Sequence, residues 1–153
     1  MNEYMQLAYK EANIGSATGE GGPFGVVITD SEGKILAKAR NQVLLFNDPT
    51  AHAEIQAIRQ AGQVLGTHNL NGCILYSTCE PCPMCLSAIL WSNIRQVFYA
   101  CDQYDAAKIG FRDAVFYKYF VERDLPGFVI EQIDRDECLA LFAEYSKRKG
   151  TIY

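Results

Sequence analysis

The 153-residue chain carries 14 basic and 18 acidic side chains, which gives a formal charge of −4, and 49% of its residues are hydrophobic. These values exclude a disordered or collagen-like chain and predict one domain spanning residues 1–153. The acidic balance argues against nucleic acid as a partner, because such binding relies on Lys and Arg. No apolar run approaches the roughly 18 residues of a membrane helix, and the N-terminus lacks a secretory pattern. We therefore expect a cytoplasmic protein with no membrane partner.

The first half of the chain is predicted to begin with a helix and a hairpin. The apolar spacing over residues 4–12 predicts a helix that ends at Gly15, a typical C-terminal cap. Residues 26–28 and 35–39 then predict two strands joined by a tight turn. Asp48, Pro49 and Thr50 predict the start of the next helix. One face of this helix is marked by Ile55, Ile58, Gly62 and Leu65.

The second half is predicted to alternate strands and helices. In chain order these are a strand at 73–76, a helix opened by Pro81 and Pro83, a strand at 97–100, an edge strand at 128–133 and a closing helix at 137–147. The helix after Pro83 is apolar on several sides, so a central position is expected. Residues 114–120 are left unassigned. A hairpin followed by this alternation predicts a three-layer α/β/α domain around a mixed sheet.

Two short segments carry the chemistry, residues 52–54 (His-Ala-Glu) and 81–85 (Pro-Cys-Pro-Met-Cys). Cys82 and Cys85 near a helix start project from one turn and can reach one ion. The positive end of the helix favours the thiolate that a metal requires. With a neutral nitrogen of His52 they form a ligand set suited to tetrahedral zinc. Alone, the cysteines could be a redox pair and the histidine a core residue, but together the segments predict catalytic zinc.

An open zinc position would give Glu54 a role. Three protein ligands leave the fourth position for water, whose pKa zinc lowers to roughly 7. Glu54, two residues after His52, is placed to exchange a proton with that water. Cys79 leaves an alternative open, because it could close the site as a fourth protein ligand. The other cysteines are expected to be inert core residues: Cys73, Cys101 and Cys138.

With these segments the chain resembles the cytidine deaminase-like superfamily of zinc-dependent base deaminases, whose signature is H-x-E followed by P-C-x-x-C. Within it, the chain is similar to the bacterial guanine deaminases over most of its length. The resemblance lies in residues 21–25, 47–54, 79–85, 105–107 and 110–113. It implies an α/β fold with a mixed five-stranded sheet, one Zn²⁺ per chain, and hydrolysis of guanine to xanthine and ammonia.

The resemblance also implies a role for each matched residue. His52, Cys82 and Cys85 would bind zinc, and Glu54 would shuttle the proton. Asn41 would bind the base through an amide that can donate and accept, while Asp113 would assist loss of the amine. The other substrate-binding residues implied are Phe24 and Trp91, as aromatic walls, with Ala53 and Tyr153.

The expected partners are a purine base and a second copy of the chain. The resemblance implies a homodimer that exchanges C-terminal segments from about residue 127, with a hinge at 125–127 and Tyr153 entering the neighbour's site. Three alternatives remain open. The chain could be a tRNA adenosine deaminase, which shares the zinc motif, or a deaminase of guanosine or cytosine. It could also be a non-enzymatic zinc module in which Cys79 completes the coordination.

Overall fold

The computed structural model describes residues 2–149 and 151–152. In chain order the elements are α1 (Glu3–Ala17), β1 (Gly25–Thr29), β2 (Ile35–Arg40), α2 (Val43–Phe46), α3 (Ala53–Leu65), β3 (Ile74–Cys79), α4 (Pro83–Trp91), β4 (Gln96–Cys101), α5 (Gln103–Lys108), α6 (Asp113–Glu122) and α7 (Arg135–Lys147). Among these helices, none is long and apolar enough to cross a membrane.

The strands form a mixed sheet in the order β2-β1-β3-β4. β1 is antiparallel to both β2 and β3, whereas β3 and β4 are parallel and are joined through α4. The prediction of a mixed sheet is confirmed. The prediction of five strands is wrong for the described part of the chain, where residues 128–133 form no strand. A strand needs a neighbour's free N–H and C=O groups, and residues 128–133 lie exposed without one.

Helices cover both faces of the sheet. The side chains of β1 alternate between these two faces and pack in a different apolar cluster on each. Val26 and Ile28 pack in the larger apolar cluster, which includes the buried face of α3. Val27 packs on the opposite face with Ala8 of α1 and Tyr76 of β3. All five residues of β1 are buried, as expected for a strand inside a three-layer α/β domain.

Helix α3 begins later than predicted, and Ile58 of the face named from the sequence packs against the core. It starts at Ala53 with His52 as its N-cap. Asp48 instead closes a turn by accepting hydrogen bonds from the Thr50 amide and hydroxyl, at 2.8 and 2.7 Å. The side chains that face the sheet are alanines, whose small size lets the helix approach closely: Ala53, Ala57 and Ala61.

Two further predictions about helices are wrong. α1 continues past Gly15 to Ala17, because the glycine that takes the left-handed conformation after the helix is Gly19, with φ at +74°. α4 is not central, since it buries only one side and exposes the other. Its exposed apolar residues are Leu86, Leu90 and Trp91, at 39%, 54% and 67%.

All six cysteines have free thiols. Cys73 is buried in the core as expected, but Cys101 and Cys138 are exposed. The expectation that these two are core residues is wrong, because β4 and α7 have uncovered faces that sequence neighbours do not indicate.

Candidate active site

Several chain segments converge at the carboxyl end of β3. Residues 80–82 lead from β3 into α4. The antiparallel pairing of β1 with β3 brings Gly25 beside Thr78, whose hydroxyl accepts a hydrogen bond from the Gly25 amide at 3.0 Å. Gly25 in turn pairs with Arg40 at the end of β2. The residues before β1, after β2 and after β3 therefore lie together at one end of the strands. Ligands commonly bind at the carboxyl ends of strands in α/β proteins.

The metal-ligating side chains come from the starts of two helices. His52 is the N-cap of α3 and Cys82 is the N-cap of α4, and neither side chain caps its own helix. The ligand atoms of His52, Cys82 and Cys85 all lie within 4.8 Å of one another. Nδ1 of His52 is 3.6 Å from Sγ of Cys82 and 3.5 Å from Sγ of Cys85. Tetrahedral zinc with ordinary bond lengths would set nitrogen and sulfur about 3.5 Å apart, so the donor set fits.

The charge state of this cluster also suits a cation. The hydrogen bond from the Cys85 thiol lowers the pKa of Cys82 to about 4, so Cys82 is a thiolate. The same hydrogen bond, with burial, raises the pKa of Cys85. The bond to Cys82 raises the pKa of His52, with burial opposing it. A cation would take the place of the shared protons, because metal binding deprotonates its ligands.

Two carboxyl groups lie close to the metal-ligating side chains. Glu54 is 6% exposed, and burial raises its pKa to about 7. The Cys85 thiol is close enough to hydrogen-bond the Glu54 carboxylate. Burial is also the main cause of the raised pKa of Asp113, followed by the Cys82 charge. A carboxyl group with a pKa near neutrality is suited to accept and release a proton at physiological pH.

Cys79 is not a member of the ligand cluster. Its Sγ lies 3.7 Å from the carbonyl oxygen of Asp102, and burial raises the pKa of the thiol to about 12. Cys79 therefore remains a protonated thiol that helps to line the cleft. The site that these residues form is an open three-ligand site, which is typical of catalytic zinc and not of a closed structural centre.

The metal-ligating residues lie beside a cleft of about 530 Å³. It is lined by six of the predicted site residues: Phe24, Asn41, His52, Glu54, Cys82 and Asp113. Phe24 meets the ring of Phe111 edge-on, with the centroids 4.7 Å apart and an interplanar angle of 78°. This volume and these aromatic walls suit a flat heterocycle.

Two of the predicted substrate-binding residues do not line this cleft. Trp91 lies at the end of α4 and borders a separate depression with Leu90 and Asn93. Ala53 is fully buried between His52 and Glu54. Tyr153 lies outside the described residues.

The structure adds lining residues that sequence reasoning missed: Val43, Leu44, Glu80, Phe111 and Phe116. The signal for Phe111 was present, since an aromatic residue stands two positions before Asp113 in a segment already singled out. The Tyr117 hydroxyl donates a hydrogen bond to the carbonyl oxygen of Pro81. Tyr117 lies one helical turn after Asp113, so this bond ties the helix that carries Asp113 to the loop that carries Cys82.

A sequence model of the cytidine and deoxycytidylate deaminase zinc-binding region matches residues 1–101, which include the three ligands. The chain belongs to the cytidine and deoxycytidylate deaminase family. It is therefore a zinc-dependent hydrolase of C–N bonds, and the His52, Cys82 and Cys85 cluster has the ligand types and spacing that could hold the zinc.

Individual proteins of this deaminase family resemble the chain to different extents. It is 51% identical over 150 residues to guanine deaminase of Bacillus subtilis (strain 168), covering 95% of this chain and 96% of that protein. A solved structure of guanine deaminase from Bacillus subtilis superposes with a TM-score of 0.86 at 44% identity, covering 96% and 95% of the two chains. The tRNA-specific adenosine deaminase of Aquifex aeolicus (strain VF5) is 43% identical over 97 residues, 63% of each protein.

Proposed function

We propose that the chain deaminates guanine, releasing ammonia and forming xanthine. The observation that carries the proposal is the buried carboxyl group of Glu54 beside an open three-ligand metal site in an aromatic cleft. The Bacillus subtilis relative that matches the chain over nearly its full length is a guanine deaminase, which favours guanine among the bases that fit such a cleft.

Glu54 moves the protons in the proposed reaction. Zinc, when bound, is a Lewis acid that lowers the pKa of water toward neutrality. Glu54 accepts the proton that this water loses and delivers it to the ring nitrogen next to C2. A C2–O bond forms and the bond from C2 to the exocyclic amine breaks. The proton of the new C2 hydroxyl then passes through Glu54 or Asp113 to the departing amine, which leaves as ammonia and leaves the C2 carbonyl of xanthine.

The remaining cleft residues bind and orient the base. The rings of Phe24 and Phe111 cover apolar surface of the purine and exclude water from the reacting carbon. Asn41, at the end of β2, reaches the base edge with its amide. Secondary structure fixes these cleft residues at the ends of the strands. The base is therefore held with its C2 atom facing Glu54 and the metal-ligating side chains.

Ammonia release from a panel of bases tests this proposal. Zinc-loaded protein is incubated with guanine, guanosine, adenine, cytosine and a tRNA anticodon stem, and the products are identified by chromatography. We expect turnover of guanine to xanthine well above that of every other compound. Turnover of another member of the panel in preference to guanine would refute the substrate, and no turnover at all would refute the catalytic assignment.

The second candidate function is deamination of adenosine in tRNA. It is supported by relatives that are tRNA-specific adenosine deaminases, such as the protein of Aquifex aeolicus. The guanine deaminase match is 51% identical over 95% of the chain, whereas the tRNA-specific adenosine deaminase of Buchnera aphidicola, which covers the same share, is 33% identical. The net charge of −4 also disfavours a polyanionic substrate, because phosphate binding depends on cationic side chains. The tRNA arm of the same panel decides between the two.

We further propose that the chain acts in the cytoplasm as a homodimer that exchanges its C-terminal segments. Every described residue from 126 to 152 is exposed. This segment carries large apolar side chains that a lone domain would not leave in water. The most exposed are Val129, Ile130, Ile133, Leu141, Phe142 and Ile152, each at 69% or more.

A second copy offers a matching uncovered surface. β4 lies at one edge of the sheet, and its Phe98 and Tyr99 are 45% and 50% exposed. In the proposed dimer, residues 128–133 of one copy extend the sheet beside β4 of the other, and α7 covers this apolar face. Residues 125–127 remain the proposed hinge.

Light scattering tests the proposed dimer and should give twice the monomer mass. Truncation after residue 127 should yield a monomer, and a full-length monomer at micromolar concentration would refute the dimer.

A further inference from the structure

Arg112 is the one arginine or lysine among the described residues that line the cleft. Its guanidinium lies over the ring of Phe116, with Cζ 5.6 Å from the ring centroid. Glu80 and Asp113 line the same cleft, but within the described part of the chain no carboxylate forms an ion pair with Arg112 and no group accepts a hydrogen bond from its guanidinium. The N–H groups of Arg112 are therefore unused donors at the cleft wall.

The residues on both sides of Arg112 fix its backbone relative to the metal-ligating side chains. On one side, the ring of Phe111 contacts the ring of Phe24 at the cleft wall. On the other side, Arg112 is the N-cap of α6. The Tyr117 hydroxyl of that helix donates a hydrogen bond to the carbonyl oxygen of Pro81, in the loop that leads into α4. The backbone that carries the guanidinium is therefore held in place beside the loop that carries the first metal-ligating cysteine.

The burial of its lining residues gives the cleft a direction. Glu54, Cys82 and Cys85 are at most 6% exposed, whereas Arg112 is exposed. The reacting carbon must lie at the buried end, so a bound guanine directs its C2 atom inward. O6 and N7 lie on the edge of the purine opposite C2. That edge of the base therefore faces the mouth of the cleft, where Arg112 lies.

We propose that Arg112 is a specificity-determining residue that donates hydrogen bonds to O6 and N7 of guanine. The inference rests on the proposed guanine deaminase function. A guanidinium presents its N–H donors in a fixed planar arrangement that matches two neighbouring acceptors, and arginine commonly contacts this edge of guanine in protein–DNA complexes. A purine with an amine at C6 presents a donor there instead of an acceptor, so it would leave an N–H group of Arg112 unpaired.

Two guanine analogues that keep the reacting C2 amine test this contact: 2-aminopurine, which lacks O6, and 7-deazaguanine, which lacks N7. The readout is the ratio of kcat/KM for guanine to kcat/KM for each analogue. Arg112→Met removes the guanidinium but keeps an unbranched apolar side chain beside Phe116. We expect both ratios to fall by about fivefold or more, because a contact of this kind discriminates between bases by about 5- to 150-fold. The intrinsic reactivity of each base is the same in every variant and cancels from the comparison.

Two further variants separate the paired contact from the charge and from the fold. Arg112→Lys keeps the positive charge but not the planar pair of donors, so it should retain at most one of the two ratios. Arg123→Met is the matched control. Arg123 lies at the opposite end of α6, over the rings of Tyr119 and Phe120 with Cζ 5.8 Å from each centroid, and is not among the described residues that line the cleft. Its two ratios should equal those of the unmodified protein.

The outcomes separate this inference from the function on which it rests. If the unmodified protein turns over none of the three bases, the proposed function fails. If it turns over guanine but Arg112→Met keeps both ratios, the inference is refuted, because a purely structural role of Arg112 lowers activity on all three bases alike. If only one ratio falls in Arg112→Met, or if Arg112→Lys keeps both, the paired contact is refuted. Should Arg112→Met fail to fold, as judged by its melting curve, Arg112→Lys still decides the paired contact.

Discussion

Replacing Glu54 by glutamine should remove most turnover while leaving the zinc site intact. The glutamine side chain has the same size as that of Glu54 but cannot carry a proton. Burial raises the pKa of Glu54 to about 7, and a carboxyl group whose pKa is near the working pH is an efficient general acid and base. General acid–base help of this kind contributes about 10²- to 10⁴-fold in rate, or about 2.7–5.4 kcal/mol of activation free energy.

The assay follows ammonia release from guanine at saturating substrate, with zinc measured by elemental analysis. We expect kcat to fall by at least about 100-fold and the zinc content to stay at one ion per chain. Glu32→Gln, on the exposed turn between β1 and β2 at the far end of the sheet, is the matched control and should behave as the unmodified protein. A Glu54→Gln variant that retains more than a tenth of the activity with full zinc would refute the proton-shuttle role.

Three further predictions concern the groups around the site. Cys82→Ala should lower zinc affinity by about 100-fold or more, whereas Cys79→Ala should retain one zinc per chain by elemental analysis, because Cys79 lies outside the ligand cluster. Tyr117→Phe should lower kcat about 10-fold with unchanged zinc content, since it frees α6 from the loop that carries Cys82; unchanged kinetics would contradict this role. The Arg40 hydrogen bond lowers the pKa of Glu20 from 4.5 to about 2. This pair therefore stabilises the fold above pH 4.5 and loses that effect as the pH falls toward 2, so urea unfolding should show Glu20→Gln to be destabilising at pH 6 and progressively less so below pH 4.5.

The zinc ligands could be predicted because their geometry is local. Cys82 and Cys85 are one helical turn apart, and His52 and Glu54 are separated by one residue at another helix start. Such spacings determine which side chains share a face before the rest of the fold is known. What the sequence could not supply is the contact of Phe24 with Phe111, far apart in the chain, which depends on how α5 and α6 pack over the cleft.

The errors in the predicted fold also concern features that the local sequence does not determine. The start of α3 was placed too early because Asp48 and Thr50 favour a turn and a helix start equally well. A fifth strand was predicted at residues 128–133 from apolar composition, but a strand exists only where another strand pairs with it. Composition also placed α4 at the centre, although apolar residues such as Leu90 and Trp91 lie on its exposed side.

The position of His52 and Cys82 at helix N-caps links ion binding to the order of both helices. An N-cap side chain ordinarily accepts a hydrogen bond from a free amide of the first turn, and these two side chains do not. A bound cation would hold the two helix starts to each other in place of that bond. Chelation should therefore increase hydrogen exchange in the first turns of α3 and α4 before it affects the sheet. Because Glu54 lies in the first turn of α3, loss of the ion would disorder the carboxyl group that is proposed to carry the protons.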